Sequence, residues 1–232
     1  MKSLVKIALI TLSSGALIAG CSTDNSSTAP NGEAAQDATA VFAAECGVTA
    51  EGFGDISEKL PEDKLSDPVS LVFETNRGDI PLTLDPHKAP CTSAIIAHLA
   101  KSGFYTNTVC HRLTTDGIYV LQCGDPEGTG RGGPGFRFAD EYPVGESAQG
   151  LYMAGTVAMA NAGPDTNGSQ FFINYKDSPL PPNYTLFGTV EPEGMDVLRD
   201  IAAHGVKDGA VDGPPAQSVE IEKVSISAPK KK

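Results

Sequence analysis

The pattern of apolar and polar residues becomes regular from Val69 onward. Apolar side chains alternate with polar ones over Val69–Asn76 and again over Asp79–Leu84, and Arg77-Gly78 lies between the two runs. Alternation of this kind is typical of β-strands with one buried face, and a short polar link containing glycine is typical of a turn. The pattern therefore predicts a β-hairpin over residues 69–84.

Two segments have the end signals of helices. Ala89–Lys101 has a proline near its start and a glycine just beyond its end, and Gly194–Ala203 is also followed by a glycine. Proline suits the first turn of a helix and glycine suits its end, so both segments are predicted to be helical. Short apolar runs predict further strands at Thr108–Leu113, Ile118–Gln122, Thr156–Met159, Gln170–Asn174, Leu186–Val190 and Ser218–Ser227. Many short strands with two helices favour a mainly β fold, an antiparallel barrel or sandwich with helical caps.

The N-terminal segment has the composition of an export signal. Lys2 and Lys6 lie near the start of the largely apolar run Val5–Leu17, which is too short for a stable membrane span. The segment ends in the sequence LIAG followed by Cys21, which resembles the lipobox of bacterial lipoproteins. That resemblance implies that residues 1–20 are a cleaved lipoprotein signal peptide and that Cys21 carries a lipid. The chain is therefore expected at the cell membrane, lipid-anchored on the extracytoplasmic face.

The rest of the chain divides by composition. Residues 21–44 are rich in small and polar residues and are expected to be a flexible tether, because they can bury little apolar surface. Residues 45–66 are an extension whose structure the sequence does not predict. Residues 67–228 contain all the predicted strands and helices and are expected to be one domain of a monomer, and residues 229–232 are a basic tail.

The charge and the motifs of the chain exclude several functions. Its 232 residues include 17 Lys and Arg against 29 Asp and Glu, which gives a formal net charge of −12. Such a surface repels phosphate backbones, so no nucleic-acid partner is expected. The sequence has no cysteine or histidine cluster with zinc spacing, and the glycine-rich run Gly128–Gly133 is not followed by the helix that a dinucleotide site requires. Neither a metal nor a cofactor is therefore expected.

Two segments carry the strongest functional signal. The first is Cys110–Asp125, with the sequence CHRLTTDGIYVLQCGD, and the second is Val157–Ile173, with the sequence VAMANAGPDTNGSQFFI. Together they resemble the signature segments of the cyclophilin family of peptidyl-prolyl cis/trans isomerases, and the second agrees with the family pattern almost throughout. The resemblance covers the whole globular part of the chain. It implies a closed eight-stranded antiparallel β-barrel capped by two α-helices.

The same resemblance assigns roles to individual residues. Arg112, Gln122 and Phe172 are implied to be catalytic: the arginine donates a hydrogen bond toward the proline nitrogen of a twisted amide, the glutamine orients it, and the phenylalanine lines the proline pocket. The substrate-binding residues that it implies are Tyr119, Val120, Ala160, Asn161, Gln170, Leu180 and Tyr184. The implied function is prolyl isomerisation that accelerates the folding of exported, proline-containing polypeptides.

Some residues depart from the family pattern. Two extra residues lie between Arg112 and Gln122, Val120 and Tyr119 stand where the family usually has methionine and phenylalanine, and the pocket tryptophan is missing because the chain has none. The altered pocket motivates an alternative prediction. In that alternative, the chain is a catalytically weak module or chaperone that binds proline-containing segments at the cell surface.

The cysteines other than Cys21 are candidates for two disulfides in an exported protein: Cys46, Cys91, Cys110 and Cys123. If Arg112 and Gln122 face one groove from adjacent strands, strand alternation puts Cys110 and Cys123 on opposite faces. This disfavours a bond between them. Two sets of pairings then remain open, Cys91–Cys110 with Cys46–Cys123 and Cys46–Cys110 with Cys91–Cys123.

Overall fold

The chain folds mainly into β-strands in a computed structural model that describes residues 31–52, 54–143 and 150–227. Within those ranges the α-helices are α1 (Asn31–Glu45), α2 (Pro90–Lys101) and α3 (Pro192–Ala203). The strands are β1 (Thr49–Ala50), β2 (Val69–Thr75), β3 (Gly78–Leu84), β4 (Thr108–Val109), β5 (Arg112–Thr114), β6 (Val120–Cys123), β7 (Phe136–Arg137), β8 (Thr156–Met159), β9 (Phe171–Asn174), β10 (Leu186–Val190), β11 (Asp212–Gly213) and β12 (Glu220–Ser227). The predicted mainly β class is confirmed, and α2 and α3 lie at the two predicted helices.

The predicted hairpin is formed by β2 and β3. The two strands pair in continuous antiparallel register from Val69 opposite Leu84 to Thr75 opposite Gly78. Gly78 has a φ of +117°, and a Cβ there would lie 3.1 Å from the Val197 side chain of α3. The turn therefore requires glycine both for its backbone conformation and for the close approach of the helix.

Ten of the strands in the described part of the chain form one antiparallel sheet, in the order β11-β5-β6-β9-β8-β10-β3-β2-β12-β4. Only Cys110 and His111 separate β4, at one end of this order, from β5, beside the other end. That link reaches about 10 Å, whereas a flat sheet of this many strands would be roughly 40 Å wide. The sheet must therefore curl until its ends approach each other. The closed eight-stranded barrel with two helices is not confirmed, because the described ranges hold a curled ten-stranded sheet and three helices.

The main core fills the inside of the curled sheet. The rings of Phe73, Tyr105 and Phe171 lie within 5.9 Å of one another, centroid to centroid, and Phe187 packs edge-on against Phe171. Helix α2 contributes the buried side chains Ile95, Ile96 and Leu99. This core holds the sheet rigidly enough to carry side chains at fixed positions on its other face.

The prediction that Cys110 and Cys123 do not pair is wrong. The disulfides of the described chain are Cys110–Cys123, with Cα atoms 4.0 Å apart, and Cys46–Cys91, with Cα atoms 5.7 Å apart. The predicted strand Thr108–Leu113 is divided, since β4 pairs with β12 and β5 pairs with β6. Strand alternation therefore does not extend from β5 back to Cys110, whose side chain enters the core. Both sets of pairings that the sequence left open are wrong as well.

The segment before the sheet also differs from the prediction. Residues 31–45 form α1, where the sequence predicted part of a flexible tether. Phe42 and Cys46 are buried in the main core, and the disulfide to Cys91 joins this segment to α2. Strand β1 pairs with β7 in a separate two-stranded sheet, and Leu60 is buried. One phenylalanine, one leucine and one disulfide thus attach residues that composition alone assigns to a tether and an extension.

Several predictions concern residues outside the described ranges. These are the signal peptide of residues 1–20, Cys21 with the first part of the tether, and the basic tail. Among the helices of the described ranges, none is long and apolar enough to cross a membrane.

Candidate active site

A second, smaller hydrophobic cluster lies on the face of the sheet opposite the main core. Along β9, Phe171 and Ile173 belong to the main core, while Phe172 belongs to the second cluster, because successive residues of a strand point to opposite faces. This cluster forms the floor of a cavity of about 240 Å³, which we call the outer pocket. The outer pocket is lined by Arg112, Ile118, Val120, Gln122, Ala160, Asn161, Phe172, Leu180 and Tyr184.

Three adjacent strands place the predicted catalytic side chains in one row. Arg112 on β5 is opposite Gln122 on β6, and Gln122 is opposite Phe172 on β9. Residues directly opposite one another in antiparallel strands share a face and have neighbouring Cβ atoms. The row therefore brings a cation, an amide and an aromatic ring to the outer pocket. The condition assumed in the sequence analysis, that Arg112 and Gln122 are neighbours on adjacent strands, is therefore met.

The Arg112 guanidinium is held by two side chains. Its Nε and Nη2 donate to the two carboxylate oxygens of Asp212, each at 2.7 Å, and its Nη1 donates to Gln122 Oε1 at 3.3 Å. These bonds use three of the five guanidinium N–H groups. Hydrogen bonds from Arg112 lower the pKa of the Asp212 carboxyl, so the partner of the arginine is a carboxylate at neutral pH. The pocket remains open, and two arginine N–H groups are left for a bound molecule.

A relay of side-chain amides extends from the arginine along the pocket. Gln122 accepts from Arg112 through Oε1 and donates through Nε2 to Gln170 Oε1 at 2.9 Å. Gln170 Nε2 in turn donates to the carbonyl oxygen of Gly132 at 2.9 Å. Each amide has both its oxygen and its nitrogen engaged, so its orientation is fixed by its partners. The relay ties the arginine to the glycine-rich loop that contains Gly132.

A buried aspartate fixes that loop. Asp125 is fully buried and accepts the backbone N–H groups of Glu127, Thr129, Gly130 and Arg131 at 2.5 to 3.0 Å. Burial by itself would raise the pKa of Asp125, but the hydrogen bonds from the backbone of the loop lower it overall. The glycine-rich run, which the sequence excludes as a dinucleotide site, is therefore a carboxylate-centred turn that presents the carbonyl oxygen used by the relay.

A second groove, which we call the side groove, opens next to the outer pocket. Both are lined by Gln122, Ala160 and Asn161, so one extended ligand can occupy the two together. The side groove has a volume of about 350 Å³. Its wall includes Arg137 of β7 paired with Glu51, which follows β1. The N-terminal extension thus contributes a charged residue to the neighbourhood of the site.

The backbone between the outer pocket and the side groove has groups available to hydrogen-bond a ligand. The Ala160 N–H donates to the Gln170 carbonyl oxygen at 2.9 Å, and the Asn161 side chain donates to the Asn183 carbonyl oxygen at 2.8 Å. The backbone N–H and carbonyl of Asn161 make no hydrogen bond with any other group of the described residues. An extended peptide that lies along this edge can therefore form backbone hydrogen bonds with Asn161.

His111 precedes the arginine but does not add a second charge. Both of its ring nitrogens are buried and lack a hydrogen-bond partner among the described residues. Burial lowers the pKa of His111, although the Asp125 carboxylate acts in the opposite direction. The imidazole is therefore neutral at physiological pH, and Arg112 is the cation of the outer pocket.

The structure brings most of the predicted site residues together. Eight of them line the outer pocket: Arg112, Gln122, Phe172, Val120, Ala160, Asn161, Leu180 and Tyr184. Gln170 lies in the side groove and reaches the pocket through Gln122. Tyr119 is not part of the lining, because its ring lies against Tyr175 and under the Lys176 ammonium, 4.1 Å from the ring centroid. Ile118, which lies just before β6, lines the outer pocket in the place that the sequence analysis gave to Tyr119.

Sequence reasoning missed three residues of the site. Ile118 could have been found from alternation in the predicted strand Ile118–Gln122, because it shares a face there with Val120 and Gln122, which the resemblance had identified. Asp212 and Glu51 had no local signal, because each comes from a segment distant in the sequence and reaches the site only through the fold. In the described ranges, no group of three or more His, Cys, Asp or Glu side chains is placed to hold a metal ion.

Much of the chain is similar in sequence to known proteins. The family model described as cyclophilin type peptidyl-prolyl cis-trans isomerase matches residues 70–226. A probable peptidyl-prolyl cis-trans isomerase B of Mycobacterium tuberculosis is 49% identical over 177 residues, and one of Mycobacterium leprae is 48% identical. These alignments cover 72% of the chain but only 57% and 59% of the two relatives, so the chain spans less than two thirds of the length of these two proteins.

Solved structures give the same fold. A cyclophilin type peptidyl-prolyl cis-trans isomerase of Cryptosporidium parvum matches with a TM-score of 0.60 and 31% identity, over 70% of this chain and 99% of that one. The structure of that isomerase in the presence of the dipeptide Ala-Pro matches with a TM-score of 0.59 and 32% identity. The family match extends over most of the chain and includes the whole row of Arg112, Gln122 and Phe172. On these grounds, the chain belongs to the cyclophilin-type peptidyl-prolyl cis-trans isomerase family.

Proposed function

We propose that the chain is a peptidyl-prolyl cis/trans isomerase whose catalytic group is Arg112. The observation that carries the proposal is the row of Arg112, Gln122 and Phe172 at the rim and floor of an open apolar pocket. The family relation supports the same activity, as does the Ala-Pro dipeptide in the structure of a relative.

The chemistry of the reaction explains why such a site suffices. A prolyl bond is an amide whose isomers are separated by a barrier of about 18–20 kcal/mol, which arises from amide resonance. No covalent bond is made or broken, so the enzyme has only to bind the twisted amide better than the planar one. In the twisted state the proline nitrogen regains its lone pair and can accept a hydrogen bond. A charged, directed donor such as arginine stabilises that state selectively.

The pocket residues divide this work in a definite way. Phe172 and Val120 form the apolar floor on which a proline ring can lie, and the Tyr184 ring stands edge-on to Phe172 with centroids 5.4 Å apart. Gln122 accepts the Nη1–H of Arg112 through its Oε1 and so keeps one edge of the guanidinium at the pocket. The free backbone groups of Asn161 hold the residues that precede the proline. The carbonyl side of the prolyl bond can then rotate while the ring stays fixed.

An isomerase assay on the full chain, purified in mild detergent, tests the proposal. A tetrapeptide containing proline is followed in wild type, in Arg112→Ala and in the control Arg199→Ala. Arg199 is an exposed arginine of α3 that pairs with Asp196 and lies outside the site. We expect Arg112→Ala to lower kcat/KM by roughly 10²–10³, the scale of removing one transition-state donor, and Arg199→Ala to match wild type. Equal turnover by all three proteins would rule out the proposed role of Arg112.

The alternative, a module that binds proline-containing segments without turnover, has one observation in its favour. The guanidinium of Arg112 is already engaged by a carboxylate. A titration of the same peptide, followed by Tyr fluorescence or NMR, separates the two functions. Binding that persists in Arg112→Ala, together with negligible isomerisation by wild type, would favour the binding module.

We also propose that the chain is exported and anchored through a lipid on Cys21, where it acts on exported polypeptides. The lipobox-like sequence before Cys21 supports this proposal, and so do two disulfides in the described domain, which are typical of oxidising compartments. Cell fractionation compares wild type with Cys21→Ala. We expect the wild type in the membrane fraction, with a diacylglyceryl group on the Cys21 peptide in mass spectrometry. Equal distribution of the two proteins would contradict the anchor.

A further inference from the structure

The contact between Arg112 and Asp212 differs from the other ion pairs of the described residues. Both oxygens of Asp212 accept at 2.7 Å from two different nitrogens of the guanidinium. Elsewhere the arginine–aspartate pairs of the described chain have a single contact, at 3.2 Å for Arg77 with Asp200 and at 2.9 Å within α3. A planar fork that meets both carboxylate oxygens fixes the plane of the guanidinium as well as its position.

The backbone fixes Asp212 beside the arginine. Strand β11 pairs with β5 so that Asp212 lies opposite Thr114, two residues from Arg112 on the same strand face. Such a diagonal position is within reach of a long side chain. The preceding carbonyl, of Val211, accepts the Thr115 N–H at 2.9 Å, so the edge strand is held at both sides of the aspartate. Asp212 therefore belongs to a paired strand and not to a free loop, which fixes the position of its carboxylate.

The bidentate contact does not use Nη1, the guanidinium nitrogen that faces the outer pocket. Asp212 takes the edge formed by Nε and Nη2, while Nη1 points to Gln122 and the outer pocket. Without Asp212, only one bond of 3.3 Å would hold a guanidinium whose side chain is 37% exposed. A long side chain held by one weak bond samples several rotamers, and few of these direct an N–H at a bound proline nitrogen.

We propose that Asp212 is a positioning residue, which aims the Arg112 guanidinium at the prolyl amide bound in the outer pocket. The inference rests on the proposed function, since it concerns the group that carries it. Asp212 lies 100 positions after Arg112 in the sequence. Gln122 alone cannot fill the positioning role, because an amide supplies only one acceptor atom to the guanidinium. The opposite role would be inhibitory. A carboxylate that competed with substrate for the arginine would slow the reaction, so its removal would not lower the rate.

A double-mutant cycle tests the proposal in the full-length protein. Isomerase activity is measured for wild type, Asp212→Ala, Arg112→Ala and the double variant, with kcat and KM determined separately. We expect Asp212→Ala to lower kcat by roughly tenfold with little change in KM, because a misdirected donor weakens the transition state more than the bound ground state. In the Arg112→Ala background, Asp212→Ala is expected to change activity by less than about twofold, since it acts only through the arginine.

Two variants separate positioning from a general effect on the fold. Asp212→Asn keeps the shape and one acceptor, so its activity is expected between those of wild type and Asp212→Ala. Asp200→Ala removes the partner of Arg77; neither residue lines the outer pocket, so kcat is expected to stay unchanged. A structural readout is the ¹H–¹⁵N signal of Arg112 Nε, which the bond to Asp212 is expected to protect from exchange in wild type and not in Asp212→Ala.

Three results would overturn the proposal. One is an Asp212→Ala enzyme as fast as wild type or faster, which would mean that the carboxylate is idle or competes with substrate. Another is an equal loss in the Arg112→Ala background, which would mean that Asp212 acts through the fold. The third is an unprotected Arg112 Nε signal in wild type. An inactive wild type would instead disprove the proposed function and the positioning role with it, whereas an active wild type with an unaffected Asp212→Ala disproves only the positioning role.

Discussion

Phe171 and Phe172 are adjacent in the sequence and both are almost fully buried, yet they serve different parts of the molecule. Phe171, 1% exposed, packs among the rings of Phe73, Tyr105 and Phe187 inside the curled sheet. It is surrounded by core on all sides. Removing its ring would leave a void that the rigid interior can fill only in part.

Phe172, 5% exposed, lies on the other face of the same strand. Its ring contacts Tyr152 and Tyr184, with centroids 6.2 and 5.4 Å away, and its remaining side borders the outer pocket. A ring with an open cavity on one side contributes less packing to the folded state and keeps apolar surface for a ligand. Burial of a single side chain therefore does not separate core from site, but the space beside it does.

The largest expected effect is the loss of stability on removing Phe171, the ring on the core face of β9. Phe171→Ala is expected to lower the free energy of unfolding by about 3–5 kcal/mol, as for other fully buried aromatic rings. Urea denaturation followed by circular dichroism measures it. Phe171→Leu is the milder control and is expected to fold with a smaller loss. A cost for Phe171→Ala no greater than that for Phe172→Ala would break the comparison.

The disulfide beside the site is expected to act on stability and not on activity. Cys110 and Cys123 are 13 residues apart and belong to the main core, although Arg112 and Gln122 are their near neighbours in sequence. Closing a loop of this length contributes about 3 kcal/mol, so Cys110→Ala/Cys123→Ala is expected to lower the unfolding free energy by that amount. At low temperature its kcat/KM is expected within about threefold of wild type. A much larger loss of activity would show that the core and the outer face are coupled here.

Much of the fold and of the pocket could be predicted because it depends on local order. The hairpin of β2 and β3 and the helix α2 follow from alternation and end signals. The neighbour relation of Arg112 and Gln122 follows from the motifs that carry them. In each case the residues that decide the structure lie within one or two adjacent elements.

The remaining features depend on where the chain changes partners. Cys110 could not be placed because the chain leaves one end of the sheet and joins the other between residues 109 and 112, and alternation does not persist across that change. Asp212 reaches Arg112 from a strand of two residues that has no hydrophobic pattern. The helix α1 depends on Phe42 and on a disulfide whose partner is known only from the fold.

A substitution of Phe172, on the outer face of β9, is expected to affect activity more than stability. Phe172→Ala removes the floor of the outer pocket and with it the apolar surface that a proline ring would cover. Such a contact contributes about 1.5–3 kcal/mol, so kcat/KM is expected to fall by roughly 10- to 100-fold. The peptide assay measures the activity, and urea denaturation is expected to show a smaller stability loss than for Phe171→Ala. A variant with unchanged kcat/KM would place the substrate elsewhere.

The smallest expected effect comes from the tyrosine beneath the pocket and depends on pH. The Tyr152 hydroxyl donates to the Tyr184 carbonyl oxygen at 2.9 Å and accepts the Tyr184 N–H at 3.0 Å, and burial raises the pKa of Tyr152 to about 12. Tyr152→Phe is expected to lower the unfolding free energy by about 1 kcal/mol at neutral pH, because the Tyr184 backbone loses its partner. The effect on kcat/KM is expected to be small, since Tyr152 does not line the outer pocket.

The sign of the pH dependence follows from the direction of that shift. The unfolded phenol ionises near its ordinary pKa of about 10, while the folded one keeps its proton up to about 12. The contribution of Tyr152 is therefore complete below about pH 10 and is lost as the pH rises toward 12. The difference between wild type and Tyr152→Phe is expected to shrink over this interval, because Tyr152 ionises. The buried Tyr105 and the partly buried Tyr175, whose pKa values are also raised, are common to both proteins and cancel in the difference. Urea titrations at pH 8, 10 and 11 measure this difference in unfolding free energy. A difference that stays constant would mean that the ionisation of Tyr152 does not affect stability.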